Sequence, residues 1–160
     1  MADSKHSGGV TLVEMLVVLG VILVLSGIVV TLTLRVESQS KESVVHNAFS
    51  LLGSALREYY EFRGQFPVQA EQNPANALLH AELMYQELRS VPASRQVLEK
   101  LSSSLVKNAG GVADLRVICD PWGTTMDYVY APNDTFPQLI SAGSDRQFGT
   151  DDDIVNKGMR

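Results

Sequence analysis

No proline falls within residues 10–63. A proline inside a helix removes a backbone donor and collides with the preceding turn, so its absence leaves this stretch free to be one helix. Residues 15–34 carry no charge and are mostly apolar, a run of about 20 residues, which at ~1.5 Å rise matches the ~30 Å hydrocarbon core of a bilayer. Beyond it Arg35, Glu37, Lys41 and Glu42 are polar, while Val45, Ala48, Leu52, Ala55, Leu56 and Tyr59 recur at three- and four-residue steps. That spacing puts one apolar stripe on a helix. Gly64 followed by Pro67 supplies the stop. The expectation is a single helix of roughly 50 residues, about 80 Å long, half membrane-spanning and half amphipathic. Such a length suits packing beside copies of itself, and Gly20, Ser26 and Gly27 let backbones approach closely.

Glu14 stands at the edge of the apolar run. A carboxylate inside a bilayer costs up to about 2.5–3.5 kcal/mol, so it needs a partner or a route to water. Two readings are open. If the chain is cut after Gly9, Val10 gains a free amine that can approach the Glu14 of a neighbouring parallel helix and replace lost hydration with a charge-assisted hydrogen bond. Alternatively Glu14 sits in the first helical turn, favoured by the macrodipole, and snorkels to water. Residues 1–9 are polar, with Lys5 and His6 and without the apolar segment of a secretory signal, so the run is expected to be retained. Lys5 holds the leader in the cytoplasm and places residues after about Arg35 on the other side.

With 160 residues there is room for one small globular domain after the helix. A net charge of -5 and a pI near 5.1 lack the basic footprint of nucleic-acid binding. Cys119 is the only cysteine, which excludes an internal disulfide, and it reads as a small core residue. No GxSxG, HExxH, GxGxxG or P-loop pattern is present, and His6, His46 and His80 lack acid–base company in the sequence, so no enzyme is expected. The aromatics of residues 59–66 read as cover for a sheet. Two short amphipathic helices are expected around Leu78, Leu79, Met84, Tyr85 and Leu88, then around Val97, Leu98, Leu101 and Leu105. After a break at 108–111, strands are expected at 115–119, 126–130 and 136–141. They would form a small antiparallel sheet laid on the outer half of the long helix. Asp120, Pro121, Trp122 and Gly123 form a turn between the first two strands, with Trp122 available to cover the sheet.

Asp145, Asp151, Asp152 and Asp153 crowd into nine residues, and Gly143 and Gly149 can bend the chain so that they converge. Crowded carboxylates repel unless water, Arg146 or a cation neutralises them. Calcium takes six to eight oxygens at roughly 2.3–2.6 Å from carboxylates and carbonyls alike, which this loop can supply. A solvated acidic turn is the plainer alternative.

The stretch Gly9-Val10-Thr11-Leu12-Val13-Glu14 ahead of a long apolar helix resembles the processing site of type IV pilins and type II secretion pseudopilins. The resemblance implies an α+β, type IV pilin-like fold divided as leader 1–9, transmembrane helix half 10–34, amphipathic half 35–63 and globular domain 64–160. It implies that a prepilin peptidase cuts after Gly9 and methylates the amine of Val10, and that Glu14 guides filament assembly. In this family the first mature residue is usually Phe or Met, and many members carry a mid-helix proline where this chain has Thr31. The aromatic helix exit before Gly64, the Asp120-Pro121-Trp122-Gly123 turn and the acidic loop are similar to those of major pseudopilins. By that loop motif, calcium ligands are expected at Asp145 and among Asp151, Asp152 and Asp153, with carbonyls from Leu139 and Ser141. The segment 68–107 is longer than its counterpart in that family. The implied partners are copies of the chain, other pseudopilins, the prepilin peptidase, an inner-membrane assembly platform and lipid, with the globular domain in the periplasm of a bacterium. A type IV pilin of a surface pilus is the second reading, from which the turn, the acidic loop and the lack of a cysteine pair lead away. A non-assembling, membrane-anchored calcium-binding module is the third.

Overall fold

The structure, a computed structural model, describes residues 11–108 and 115–156, with the side chains of 28–36 outside the description. Gly9 and Val10 therefore lie outside the described residues. Helix α1 runs Leu12–Arg63, 52 residues, matching the proline-free stretch. Gly64 ends it at φ +74, where glycine carries no Cβ penalty, and its N–H donates to the Tyr60 carbonyl at 2.7 Å.

The chain divides into two compact units, Met1–Gln39 and Ser40–Arg160. In the first, the described large apolar side chains from Leu12 to Leu25 are all exposed, Leu19 at 60%. No helix among the described residues is long and apolar enough to cross a membrane. The expected span of 15–34 runs on into the side chains outside the description.

In the second unit the stripe expected on the helix is buried in full: Val45, Ala48, Leu52, Ala55, Leu56 and Tyr59, with Phe49 added. Ile118, Met126, Tyr128 and Leu139 close over it, each large apolar side chain contributing about 1.5–3 kcal/mol by leaving water. After a single 3-10 turn at Pro74–Asn76, helices α2 (Ala77–Ser90) and α3 (Pro92–Leu98) add Met84, Tyr85, Leu88 and Leu98 to the same core. Among the described residues five strands follow: β1 Val106–Asn108, β2 Arg116–Ile118, β3 Asp127–Val129, β4 Gln138–Ser141 and β5 Ile154–Val155.

The three expected strands are present but divided between two antiparallel sheets, β1-β2 and β3-β4-β5, with a bridge between Cys119 and Thr125 in the turn from β2 to β3. Strands β1 and β5 were not expected. The second short helix stops at Leu98 instead of continuing through Leu105: the Lys100 and Leu101 N–H groups turn to the carbonyls of Val97 and Leu98, three residues back, and Ser102, Ser103 and Ser104 then disfavour resuming a helix. Serine side chains compete for backbone partners and disfavour a helix interior; here the Ser102 hydroxyl takes the Ser104 N–H. Leu101 and Leu105 are buried all the same, from loop positions. Cys119 is a buried free thiol, as expected of a core residue.

The loop before α2 is fastened to the sheet. Tyr128 donates its hydroxyl to the Pro67 carbonyl at 2.9 Å, and Gln69 accepts the Tyr130 N–H at 2.8 Å. Phe66 stacks edge-on against Tyr130 and Phe136, so the aromatic helix exit does cover the strands. His80, 3% exposed, lies between the Asp127 and Glu71 carboxylates at 2.8 Å from each ring nitrogen. For both contacts to be hydrogen bonds, one more proton than a neutral imidazole carries must sit on the ring or on a carboxyl. Burial pushes the Asp127 carboxyl up, against the pull of His80. Asn73 and Asn76 hold Glu71 down.

Candidate functional site

Thr11 and Glu14 close the start of α1 on themselves. Glu14 N–H donates to the Thr11 hydroxyl oxygen at 3.2 Å, while Glu14 Oε2 accepts the Thr11 N–H at 3.2 Å and faces its hydroxyl at 3.3 Å. This reciprocal box satisfies donors that every helix start leaves open. The Thr-x-x-Glu signature was readable in the sequence, and Thr11 is the residue the sequence reasoning passed over. Only Oε2 is used; among the described residues Oε1 accepts no hydrogen bond.

The turn after β2 is built around a buried carboxylate. Asp120, 3% exposed, accepts the Trp122 and Thr124 N–H groups on Oδ1 at 3.0 and 2.9 Å. Its Oδ2 accepts the Ser141 hydroxyl at 2.7 Å. Gly123 takes φ +95, and Trp122 packs against the main core. Ser141 in turn accepts the Gly143 N–H at 3.3 Å. One fully buried serine therefore joins the Asp-Pro-Trp-Gly turn to the entrance of the acidic loop.

Within that loop the aspartates, alike in sequence, differ in place. Asp152 is occupied: Oδ2 accepts the Asp145 N–H at 2.9 Å and the Ser144 hydroxyl at 3.0 Å, and Oδ1 accepts the Thr150 hydroxyl at 2.6 Å. Those donors, Thr150 foremost, hold its pKa well below the usual carboxylate range. A Cβ on Gly143, at φ +63, would collide with the Asp152 carbonyl and lie 2.7 Å from Oδ2, so only glycine fits there. Asp153 accepts the Gly149 N–H at 2.7 Å on Oδ2, while its Oδ1 is buried and takes no hydrogen bond among the described residues. Asp145 caps its own turn through the Gln147 N–H at 2.8 Å, and Asp151 is exposed. The Leu139 carbonyl accepts the Asn156 N–H at 3.1 Å. Asn156 also takes the Leu139 N–H, pinning the strand that carries this carbonyl and that of Ser141. Among the described residues no three His, Cys, Asp or Glu side chains form a group able to hold a metal ion. The backbone geometry brings Asp145 and Asp152 together but leaves the four carboxylates serving different bonds.

Two family models match the chain. The model of the type II secretion system (T2SS), protein G, matches residues 68–157, which include β1 to β5, the Asp-Pro-Trp-Gly turn and the acidic loop. The prokaryotic N-terminal methylation motif matches residues 4–30, around Gly9, Val10, Thr11 and Glu14. No curated protein and no solved structure gives a match. A structure of one long helix packed on small antiparallel sheets, matched over more than half its length by one family model and at its start by the methylation motif, belongs to the protein G family of the type II secretion system, the pseudopilins.

Proposed function

We propose that this pseudopilin is cut after Gly9, methylated on Val10, and assembled into a periplasmic pseudopilus in which Glu14 sets the register between neighbouring helices. A membrane-anchored, periplasmic localisation goes with its family. The finer reading is a single pass by residues 15–34 through the inner membrane before assembly, supported by the length and apolar character of that run. Other pseudopilins, the prepilin peptidase and an assembly platform are the partners this role calls for. The exposed apolar side chains from Leu12 to Leu25 need lipid or neighbouring copies to cover them.

One observation carries the register role. Glu14 binds its own helix start through Oε2, while Oε1, which accepts no hydrogen bond among the described residues, would accept the amine of a second copy. A glutamine at this capping position keeps the box but lacks the charge. Glu14→Gln should therefore abolish filaments as thoroughly as Glu14→Ala, with helix content and membrane level unchanged. Wild-type filament yield from Glu14→Gln would show that Glu14 only caps its helix.

We further propose that the acidic loop binds calcium through two carboxylates, Asp145 and Asp153, with carbonyls of Leu139 and Ser141 and water completing the shell. Its support is the buried, unpartnered Oδ1 of Asp153 and the oxygen-only chemistry of the loop. Asp152, with both oxygens engaged, organises the loop in this reading. Millimolar calcium should raise the melting temperature of the full chain in detergent, and the rise should vanish in Asp153→Asn. An unchanged melting temperature in the parent chain counts against the site.

A further inference from the structure

A cavity of about 450 Å³ opens between α2, α3 and the β1-β2 pair, away from the turn and the acidic loop. It is lined by Arg89, Arg95 and Arg116, with Tyr85, Ser103 and Asn108 beside them. The three arginines come from three different elements, α2, α3 and β2. None of their guanidinium groups makes a hydrogen bond or ion pair with a described residue. In a chain with net charge -5, three unpaired guanidinium groups around one hollow set up a local field of the opposite sign.

We propose that this cleft binds a small multivalent oxyanion, a di- or tricarboxylate or a diphosphate. The volume is in the range of small-molecule sites, about 300–1,000 Å³. Its floor is formed by buried side chains: Tyr85 is 6% exposed, Leu98 4% and Leu101 7%. The buried floor shields a bound anion from water on one side, so its bonds to the exposed arginines are less screened there than on a flat surface. Guanidinium groups offer paired donors that match two oxygens of a carboxylate or phosphate, and three of them suit a ligand with more than one charge. Ser103 and Asn108 add neutral donors at the rim. The Glu99 carboxylate also lines the cavity and opposes the anion, which limits affinity and gives the site a built-in check. The inference is independent of filament assembly and of calcium.

Lys107 supplies the control. It sits on β1 between Val106 and Asn108, which line the cavity, and side chains alternate along a strand, so it faces the other way. Its Nζ lies near Gly123, on the turn after β2.

The test is calorimetric titration of the full chain in detergent, in resin-decalcified buffer at fixed ionic strength, with pyrophosphate, citrate and inorganic phosphate. Saturable binding of pyrophosphate or citrate, at least about tenfold tighter than phosphate, is expected, and which of the two is tighter assigns the phosphate or the carboxylate class. Arg89→Ala, Arg95→Ala and Arg116→Ala should each weaken it roughly 5- to 20-fold, Lys107→Ala less than about twofold, and Glu99→Gln should strengthen it about two- to threefold. The arginines are exposed, so circular dichroism should be unchanged in every variant. No saturation by about 10 mM of either ligand overturns the proposal. Equal weakening by Lys107→Ala and Arg116→Ala does so too, since it reduces the effect to general charge. Binding of an aspartate-rich peptide without either small anion overturns the assignment to small ligands.

Discussion

Asp120→Ala tests whether the turn after β2 and the acidic loop are one mechanical unit. The substitution removes a carboxylate that accepts two backbone N–H groups, at 3.0 and 2.9 Å, and the Ser141 hydroxyl at 2.7 Å. Hydrogen bonds to a charged group contribute about 1.5–3 kcal/mol each, and a donor left buried without a partner adds a desolvation penalty. Because the three share one carboxylate the losses do not add in full, and about 3–5 kcal/mol is expected. In urea, at a slope of about 2 kcal/mol per M, the midpoint should fall by roughly 2 M. Asp120→Asn keeps Oδ1 as an acceptor and turns an amide N–H toward the Ser141 oxygen, so it should lose only about 1 kcal/mol. Ser141→Ala removes one donor and should fall between the two. Trp122 is the only tryptophan and sits on the turn itself, so its fluorescence reports the unfolding of this unit directly. An Asp120→Ala stability within about 0.5 kcal/mol of wild type would refute the reasoning, as would an Asp120→Asn loss as large as that of Asp120→Ala.

Gly143→Ala should destabilise by about 2–4 kcal/mol, from a positive φ and a clash with Asp152. Gly123→Ala, with a positive φ but only the flexible Lys107 Nζ nearby at 3.9 Å, should lose about 1–2 kcal/mol; equal losses by thermal unfolding would show that Asp152 gives way freely. Asp152 has a folded pKa below its ordinary 3.8, so the unfolded chain binds the proton first. Its stabilisation is complete above that ordinary value and is lost as pH falls through the folded one. Asp152→Asn should thus show a flatter loss of stability between roughly pH 5 and pH 2 than the parent chain, and identical slopes would contradict the bonds from Thr150, Ser144 and Asp145.

What the sequence made legible was whatever is local in the chain. The stripe from Val45 to Tyr59 repeats at helical spacing, and all of it is buried; Asp120, Pro121, Trp122 and Gly123 name their own turn. Long-range pairings left no such trace. His80 meets Asp127 across 47 positions, and neither residue's neighbours announce the other. The arginine cleft draws on α2, α3 and β2 at once, so no single window of sequence contains it. The end of α3 was misjudged for a different reason: Leu101 and Leu105 continue the apolar period, and burial alone does not distinguish a helix from a loop that follows the same surface. The tightened turn at Lys100 and Leu101 ended the helix, and the serines beyond, competing for the backbone, did not restart it.

The aspartate triplet sharpens the same point. Three identical residues in a row have one signature in sequence, yet backbone geometry assigns them three tasks: Asp151 faces water, Asp152 gathers Ser144, Asp145 and Thr150, and Asp153 holds Gly149 and buries one bare oxygen. Since Asp152 draws the two ends of the loop together with bonds of its own, the loop has a folded framework within the chain itself. A cation received by the remaining oxygens would then add its binding free energy to a loop already closed, instead of also closing it. The entropy of ordering is borne by the intrachain bonds, and for that reason Asp152, though the most engaged of the three, is the one whose loss should weaken the loop with or without calcium.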